Sequence, residues 1–240
     1  MIKGMFLSDI HFPDNVDLSP VFSYIKEYQP NMLILGGDII DAKGMHGVES
    51  FQASQMRLEW YERDKQLLTR FLVELGKVLP NNVRVIYLEG NHEERYKRIS
   101  KKYPDAFGGR FDFNKDVIQQ VFPGTKWVGY GDYNSFFKLG DCVFTHGTLY
   151  PENHAKKYAS IFSPYKVVYG HLHHFQASTI HSAMPGVTSK YAVTGGCLTH
   201  LSPEWKKGQP NCWLNGFVTF SSDKGITTPT VHLIEKGRLI

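Results

Sequence analysis

Met32-Leu33-Ile34-Leu35-Gly36-Gly37-Asp38-Ile39-Ile40-Asp41 is the stretch on which the fold turns. A short unbroken apolar run reads as a buried strand, and the glycine pair punctuates its end. The residue delivered just beyond is an aspartate, a poor choice for packing. The same arrangement recurs along the chain. Ile2 to Ser8 opens onto Asp9-Ile10-His11, and Val83 to Leu88 onto Glu89-Gly90-Asn91-His92-Glu93. Cys142 to Phe144 ends at Thr145-His146-Gly147, and Lys166 to Tyr169 at Gly170-His171-Leu172-His173-His174.

Helical patterns lie between the early strands. Ser19 is placed to cap a helix with Pro20 at its first position, followed by Val21, Phe22, Ile25 and Tyr28 on one face. A long amphipathic helix is expected from about Ser50 to Leu79, with Trp60, Leu67, Leu68, Phe71, Leu72, Leu75 and Leu79 as its apolar stripe. Shorter helices are expected over Glu93–Lys102 and Glu152–Phe162. From Lys126 onward short strands dominate: Trp127–Tyr130, Ser135–Leu139, Tyr191–Thr194, Gly216–Ser221 and Thr230–Ile234. Tyr103–Gly124, broken by Gly108-Gly109 and Pro123, is the least regular part. Alternation first and strands later indicate a layered α/β domain with two sheets, spanning residues 1–240 as one unit.

Composition agrees. A chain of 240 residues suits one sizeable domain. With 42% hydrophobic residues, 16 Phe, 13 Tyr and 4 Trp it can bury a large core, which excludes wholesale disorder. No run of roughly 18 apolar residues is present, so no membrane-spanning helix and no membrane partner are expected. The N-terminal residues lack the layout of a signal peptide. Cys142, Cys197 and Cys212 form neither a disulfide framework nor a CxxC pair, and the expected location is the cytoplasm. The net charge of +4 permits an anionic ligand without arguing for one. The sequence carries no signal for oligomeric state.

In layered α/β folds, ligands gather where strand C-termini deliver loop residues into one crevice. Asp, His and Asn delivered there repeatedly point to a divalent metal site. No cysteine takes part, which argues against a structural zinc site. Carboxylate, imidazole and amide oxygen suit manganese, iron or zinc alike. Taken singly, each Asp or His reads more readily as a turn or capping residue than as a ligand. His174 reads as a rim residue, and His46, His154, His181, His200 and His232 as ordinary surface or core histidines.

The series Asp9-x-His11, Gly37-Asp38-x-x-Asp41, Gly90-Asn91-His92-Glu93, His146-Gly147 and Gly170-His171-x-His173 resembles the calcineurin-like metallophosphoesterase superfamily in type and order. Gly195-Gly196-Cys197-Leu198 through Gly216-Phe217 is more loosely similar to a branch seen in phages and prophages. The resemblance implies a four-layer α/β sandwich, two mixed β-sheets flanked by helices, with a two-metal site at the strand C-terminal ends. Asp9, His11, Asp38 and His173 would hold one divalent ion. Asp38 would bridge to a second, completed by Asn91, His146 and His171. A water between the ions would lose its proton near neutral pH and attack phosphorus. His92 would stabilise the transition state or protonate the leaving oxygen, oriented by the Asp41 carboxylate.

The implied substrate is a phosphoester. The protein-phosphatase branch carries arginines where this chain has Ala42 and Glu89. Without that bidentate clamp, a phosphodiesterase acting on nucleic-acid ends or nucleotides is favoured. A phosphomonoesterase for a small metabolite is the alternative, and a non-catalytic scaffold the third reading. Basic and aromatic residues interleave at Tyr96-Lys97-Arg98, Lys101-Lys102-Tyr103, His154–Tyr158 and Trp205-Lys206-Lys207. They would suit a nucleic acid or nucleotide, although solvated faces with snorkelling lysines explain them better. The 103–124 segment either shapes access to the site or is an excursion between sheets.

Overall fold

The computed structural model describes residues 1–45, 54–131, 134–181 and 190–240. His46 and the expected helix start at Ser50 lie outside the described residues, as does the side chain of Trp205.

The early parallel strands are β1 (Ile2–Leu7), β2 (Met32–Leu35), β3 (Arg84–Leu88) and β4 (Lys126–Val128). They pair side by side in that order, as short apolar runs joined by helical crossovers must. The C-terminal strands β10 (Asn215–Asp223), β11 (Ile226–Glu235) and β12 (Arg238–Leu239) extend the sheet antiparallel from β1. The result is a seven-stranded mixed sheet ordered β12-β11-β10-β1-β2-β3-β4. A second mixed sheet has five strands. They are β5 (Phe137–Leu139), β6 (Cys142–Thr145), β7 (Lys166–Tyr169), β8 (Phe175–Ile180) and β9 (Lys190–Gly195), in the order β5-β6-β7-β9-β8.

Strand periodicity distributes the core. Met5, Leu7, Leu33 and Leu35 face helices α1 (Ser19–Tyr28) and α2 (Ser54–Gly76), together with Ile25, Leu68, Phe71 and Leu72. Their neighbours Phe6, Met32 and Ile34 face the other way and meet Phe144, Val168 and Val193 of the second sheet. Ala155, Tyr158 and Ala159 of a later helix (His154–Ile161) cover the far face of that sheet against Val167, Tyr169 and Ala192. Helices, sheet, sheet and helix make the expected four layers. Among the described residues no helix is long and apolar enough to cross a membrane.

Two stretches read differently from the sequence. The 103–124 segment contains helix α4 (Pro104–Phe107) and a π-helical turn, Asn114–Ile118, running into α5 (Gln119–Val121). It buries Phe107, Phe111, Phe113, Val117 and Ile118 in the helical layer and lines no part of the main cleft. β8 was not expected: its polar composition fits an edge strand whose residues alternate between exposed and half-buried. The later helix His154–Ile161 is hereafter α6.

Candidate metal centre

All the quoted polar clusters follow parallel strands, so both sheets deliver them to one edge. Beyond the strand ends the loops remain zipped. The Asp9 N–H donates to the Gly37 carbonyl (3.0 Å), and those of His11 and Phe12 to the carbonyls of Asp38 (3.0 Å) and Ile39 (2.8 Å). Glu93, in helix α3 (Asn91–Lys102), is the buried anchor of this edge. Its carboxylate accepts from Asp38 N (3.0 Å), Ile39 N (2.8 Å), Gly90 N (3.0 Å) and the Tyr87 hydroxyl (2.9 Å). Gly90 is required by close approach, since a Cβ there would stand 2.2 Å from both Asp38 N and Asp38 Oδ1.

Asp38 divides its two oxygens. Oδ1 accepts from the His92 backbone N–H (2.9 Å), capping the N-terminus of α3. Oδ2 is 3.4 Å from His146 Nε2, 3.7 Å from His92 Nε2 and 3.9 Å from His11 Nε2. Around this shared atom lie two donor sets. The ligand atoms of Asp9, His11 and His173 fall within 4.8 Å of one another, as do those of Asp38, His146 and His171. Asn91 Oδ1 is 3.0 Å from His146 Nε2 and joins the second set. A third grouping, His11, Asp38 and His92, is equally compact. The Asp41 carboxylate lies 3.1 Å from His11 Nδ1 and 3.3 Å from His92 Nδ1, while the Asp41 carbonyl is only 2.6 Å from His92 Nδ1. Every residue expected at the site is therefore brought into it.

The backbone bears the same mark. Asp9, His11, Asp38, His171 and His173 all hold positive φ, between 51° and 79°. Left-handed backbone costs a non-glycine residue on the order of 1–2 kcal/mol, and its clustering is characteristic of functional sites.

Donor chemistry tests whether cations fit. His146 Nδ1 lies 2.8 Å from the Gly36 carbonyl and must donate to it. Its Nε2 faces Asp38 Oδ2 (3.4 Å) and Asn91 Oδ1 (3.0 Å), both electron-pair donors, so a proton or a metal ion must stand between them. Burial would lower the His146 pKa, but the Asp38 carboxylate outweighs it and raises it to about 9. The Asp38 carboxyl is itself held well below its usual range, burial being outweighed by His146 and His92. Burial, opposed by the hydrogen bond to Asp41, lowers the His11 pKa and keeps that ring neutral, with Nε2 3.1 Å from His173 Nε2. Burial, with the neighbouring His146, lowers His171 to about 4, and both its ring nitrogens are buried without a hydrogen-bond partner among the described residues. His173 Nδ1 is in the same condition. Imidazoles and carboxylates turned inward on one another are a donor set for divalent metal ions.

The cluster floors a cavity of about 390 Å³. Around it stand residues that sequence reading missed. Tyr150 stands over His171 (ring centroids 4.5 Å apart) and Trp213 over His173 (4.2 Å). Arg95 Nη1 reaches the Asp41 carbonyl at 3.1 Å beside His92. Arg95 was findable, being one helical turn from His92 on α3. Trp213 had no signal, since the strand bridge pairing it with His174 is set by tertiary structure.

Other expectations resolve plainly. His174 lines the cavity rim. His154 is a core residue, with Nδ1 2.6 Å from the Tyr169 hydroxyl. His232 packs between Tyr24 and Phe217, and His181 and His200 are exposed. The interleaved basic and aromatic clusters offer few stacking faces. Tyr96 and Tyr158 are buried, and Tyr103 packs against the helical core.

A family model described as calcineurin-like phosphoesterase matches residues 2–175. No curated protein matches the chain. Among solved structures, Vps29 from Entamoeba histolytica complexed with Zn²⁺ is similar at 13% identity and TM-score 0.48, covering 100% of this chain and 96% of that one. Vps29 from Chaetomium thermophilum is similar at 13% identity and TM-score 0.47, with 98% and 93% coverage. Vacuolar protein sorting 29 from Cryptosporidium parvum is similar at 11% identity and TM-score 0.40, with 98% and 100% coverage. With well over half of its length matched by the family model, the chain belongs to the calcineurin-like phosphoesterase family.

Proposed function

We propose that this protein is a two-metal-dependent phosphodiesterase, acting on nucleic-acid ends or on nucleotides. One observation carries the reading: Asp38 Oδ2 is common ground for two compact donor sets, within 4 Å of imidazole nitrogens belonging to each. In this reading Asp9, His11, Asp38 and His173 hold one ion, and Asp38, Asn91, His146 and His171 the other. Manganese is the first choice, with iron, zinc or nickel as alternatives. The chemistry that such a pair supplies, when bound, is charge stabilisation on the phosphoryl oxygens and a water acidic enough to react near neutral pH.

The remaining work falls to the protein. His92, which lines the cavity, holds Nδ1 2.6 Å from the Asp41 carbonyl and 2.9 Å from Arg95 Nη1, with Nε2 3.7 Å from Asp38 Oδ2. Burial works against its protonation, but Asp38 and the Asp41 contact outweigh it and raise the His92 pKa. In this reading the His92 imidazole delivers a proton to the leaving ester oxygen. Asp41 positions His11 through its carboxylate and His92 chiefly through its main chain. The full donor set together with His92 supports catalysis over a binding scaffold.

Diester preference is supported by Ala42 and Glu89. Ala42 is a buried small residue, and Glu89 is a buried acid accepting from Tyr130 N (2.9 Å), so neither offers a guanidinium to a terminal phosphate. A second reading, phosphomonoesterase, is favoured by Arg95, whose guanidinium comes to the same edge from α3. Hydrolysis of bis-p-nitrophenyl phosphate compared with p-nitrophenyl phosphate under manganese separates them. Turnover of the monoester alone would overturn the diesterase reading.

Residues 1–240 are read as one domain, supported by the pairing of β10 with β1. Free Cys142, Cys197 and Cys212 support a reducing, cytoplasmic setting. Affiliation with a phage-type branch rests on the sequence resemblance alone.

A further inference from the structure

We infer that Tyr150 forms a subsite for a planar aromatic ring carried by the substrate phosphate; this rests on the phosphoesterase reading of the same cleft. The cleft is larger than a phosphate needs. Its volume of about 390 Å³ lies within the range of roughly 300–1,000 Å³ occupied by small organic ligands. Above the polar floor, the wall is made by Tyr150, Leu172, Pro203 and Trp213. An organic group attached to a phosphate on the floor must rest against that wall.

The two aromatic residues differ in what they present. Trp213 is half-buried, with Lys206 Nζ 4.0 Å from its ring and His173 4.2 Å away, so much of its surface is occupied. Tyr150 is 73% exposed, and its ring stands at a steep angle (68°) to His171. Nor is it on a loose tip. The hydroxyl of buried Tyr158, on α6, accepts the backbone N–H groups of Thr148 (2.8 Å) and Leu149 (3.1 Å), which fixes the two residues before it. An aromatic face held in place beside a candidate ligand, over an apolar cleft, favours a flat ring that can stack on it. Such stacking is blind to ring identity, so a nucleobase and a simple aryl group share the required chemistry.

Binding of non-hydrolysable phosphonates to the manganese-loaded protein, followed by calorimetry, tests this without turnover. The ligands are methylphosphonate, benzylphosphonate and an adenosine 5′-methylenephosphonate. The expected result is that the ring-bearing ligands bind about 10-fold tighter than methylphosphonate or better. Tyr150→Ala should abolish that advantage and Tyr150→Phe should keep it, with methylphosphonate as the internal reference. Which of the two ring ligands gains more identifies the source. Equal binding of ringed and ringless ligands, or an advantage that survives Tyr150→Ala, overturns the subsite while leaving the phosphoesterase reading intact. Failure of all three ligands to bind, with or without manganese, overturns both.

Discussion

His92 reaches the main chain of Asp41 before its carboxylate: Nδ1 is 2.6 Å from the carbonyl oxygen and 3.3 Å from Oδ1. The carboxylate is engaged instead by His11 Nδ1, at 3.1 Å. One residue thus serves two histidines by two different groups, and a side-chain substitution separates them.

Asp41→Ala should leave His92 oriented while releasing His11. Metal affinity is expected to fall about 10–100-fold, with activity largely recovered at saturating manganese. A manganese titration of activity that superimposes on wild type would refute this division of labour.

His92→Ala is expected to behave in the opposite way. Its imidazole is read as an acid for the leaving oxygen, so turnover should drop by about 10²–10⁴ and excess metal should not restore it. Metal analysis should return the wild-type content. A variant depleted of metal would instead place His92 among the ligands, as the compact grouping with His11 and Asp38 allows.

Asp38→Asn removes the negative charge that both donor sets share. Two dications at close range then lack an anion between them, and at least one ion should be lost. Elemental analysis of purified protein reads the outcome directly, and two retained ions would contradict the shared role.

Glu93→Gln tests the scaffold beneath the site. The carboxylate accepts from four backbone N–H groups and the Tyr87 hydroxyl, and an amide would turn a donor toward donors. The expected cost is about 3 kcal/mol of stability, read by urea denaturation of the metal-free protein. An unchanged midpoint would show that the loops are held by something else.

His154 supplies a pH dependence away from the metal ligands. Burial, with a lesser contribution from His174, lowers its pKa from 6.5 to about 4. Between those values the unfolded chain takes up a proton that the folded chain refuses. Stability of the metal-free protein should therefore fall as pH drops from 6.5 toward 4, by at most about 1.4 kcal/mol per unit from this group. His154→Phe should flatten that slope, and parallel pH curves for the two proteins would refute the assignment.

The sequence by itself determined the strands and what each delivers. Buried parallel strands need unbroken apolar runs, and metal chemistry restricts the residue types at their ends, so Asp9, Asp38, Asn91, His146 and His171 are written locally. Helices α1, α2, α3 and α6 were legible for the same reason, because an amphipathic stripe repeats within a few residues. Only the tertiary structure decided how Asp38 divides its oxygens, that Glu93 anchors the neighbouring loop, and that Tyr150 and Trp213 wall the cleft. These depend on contacts between segments far apart in the chain, where no spacing rule connects the partners. β8 and the 103–124 helices were hidden for a related reason. An edge strand needs little hydrophobicity, and aromatic residues such as Phe111 and Phe113 find their places only against Tyr61 and Tyr96.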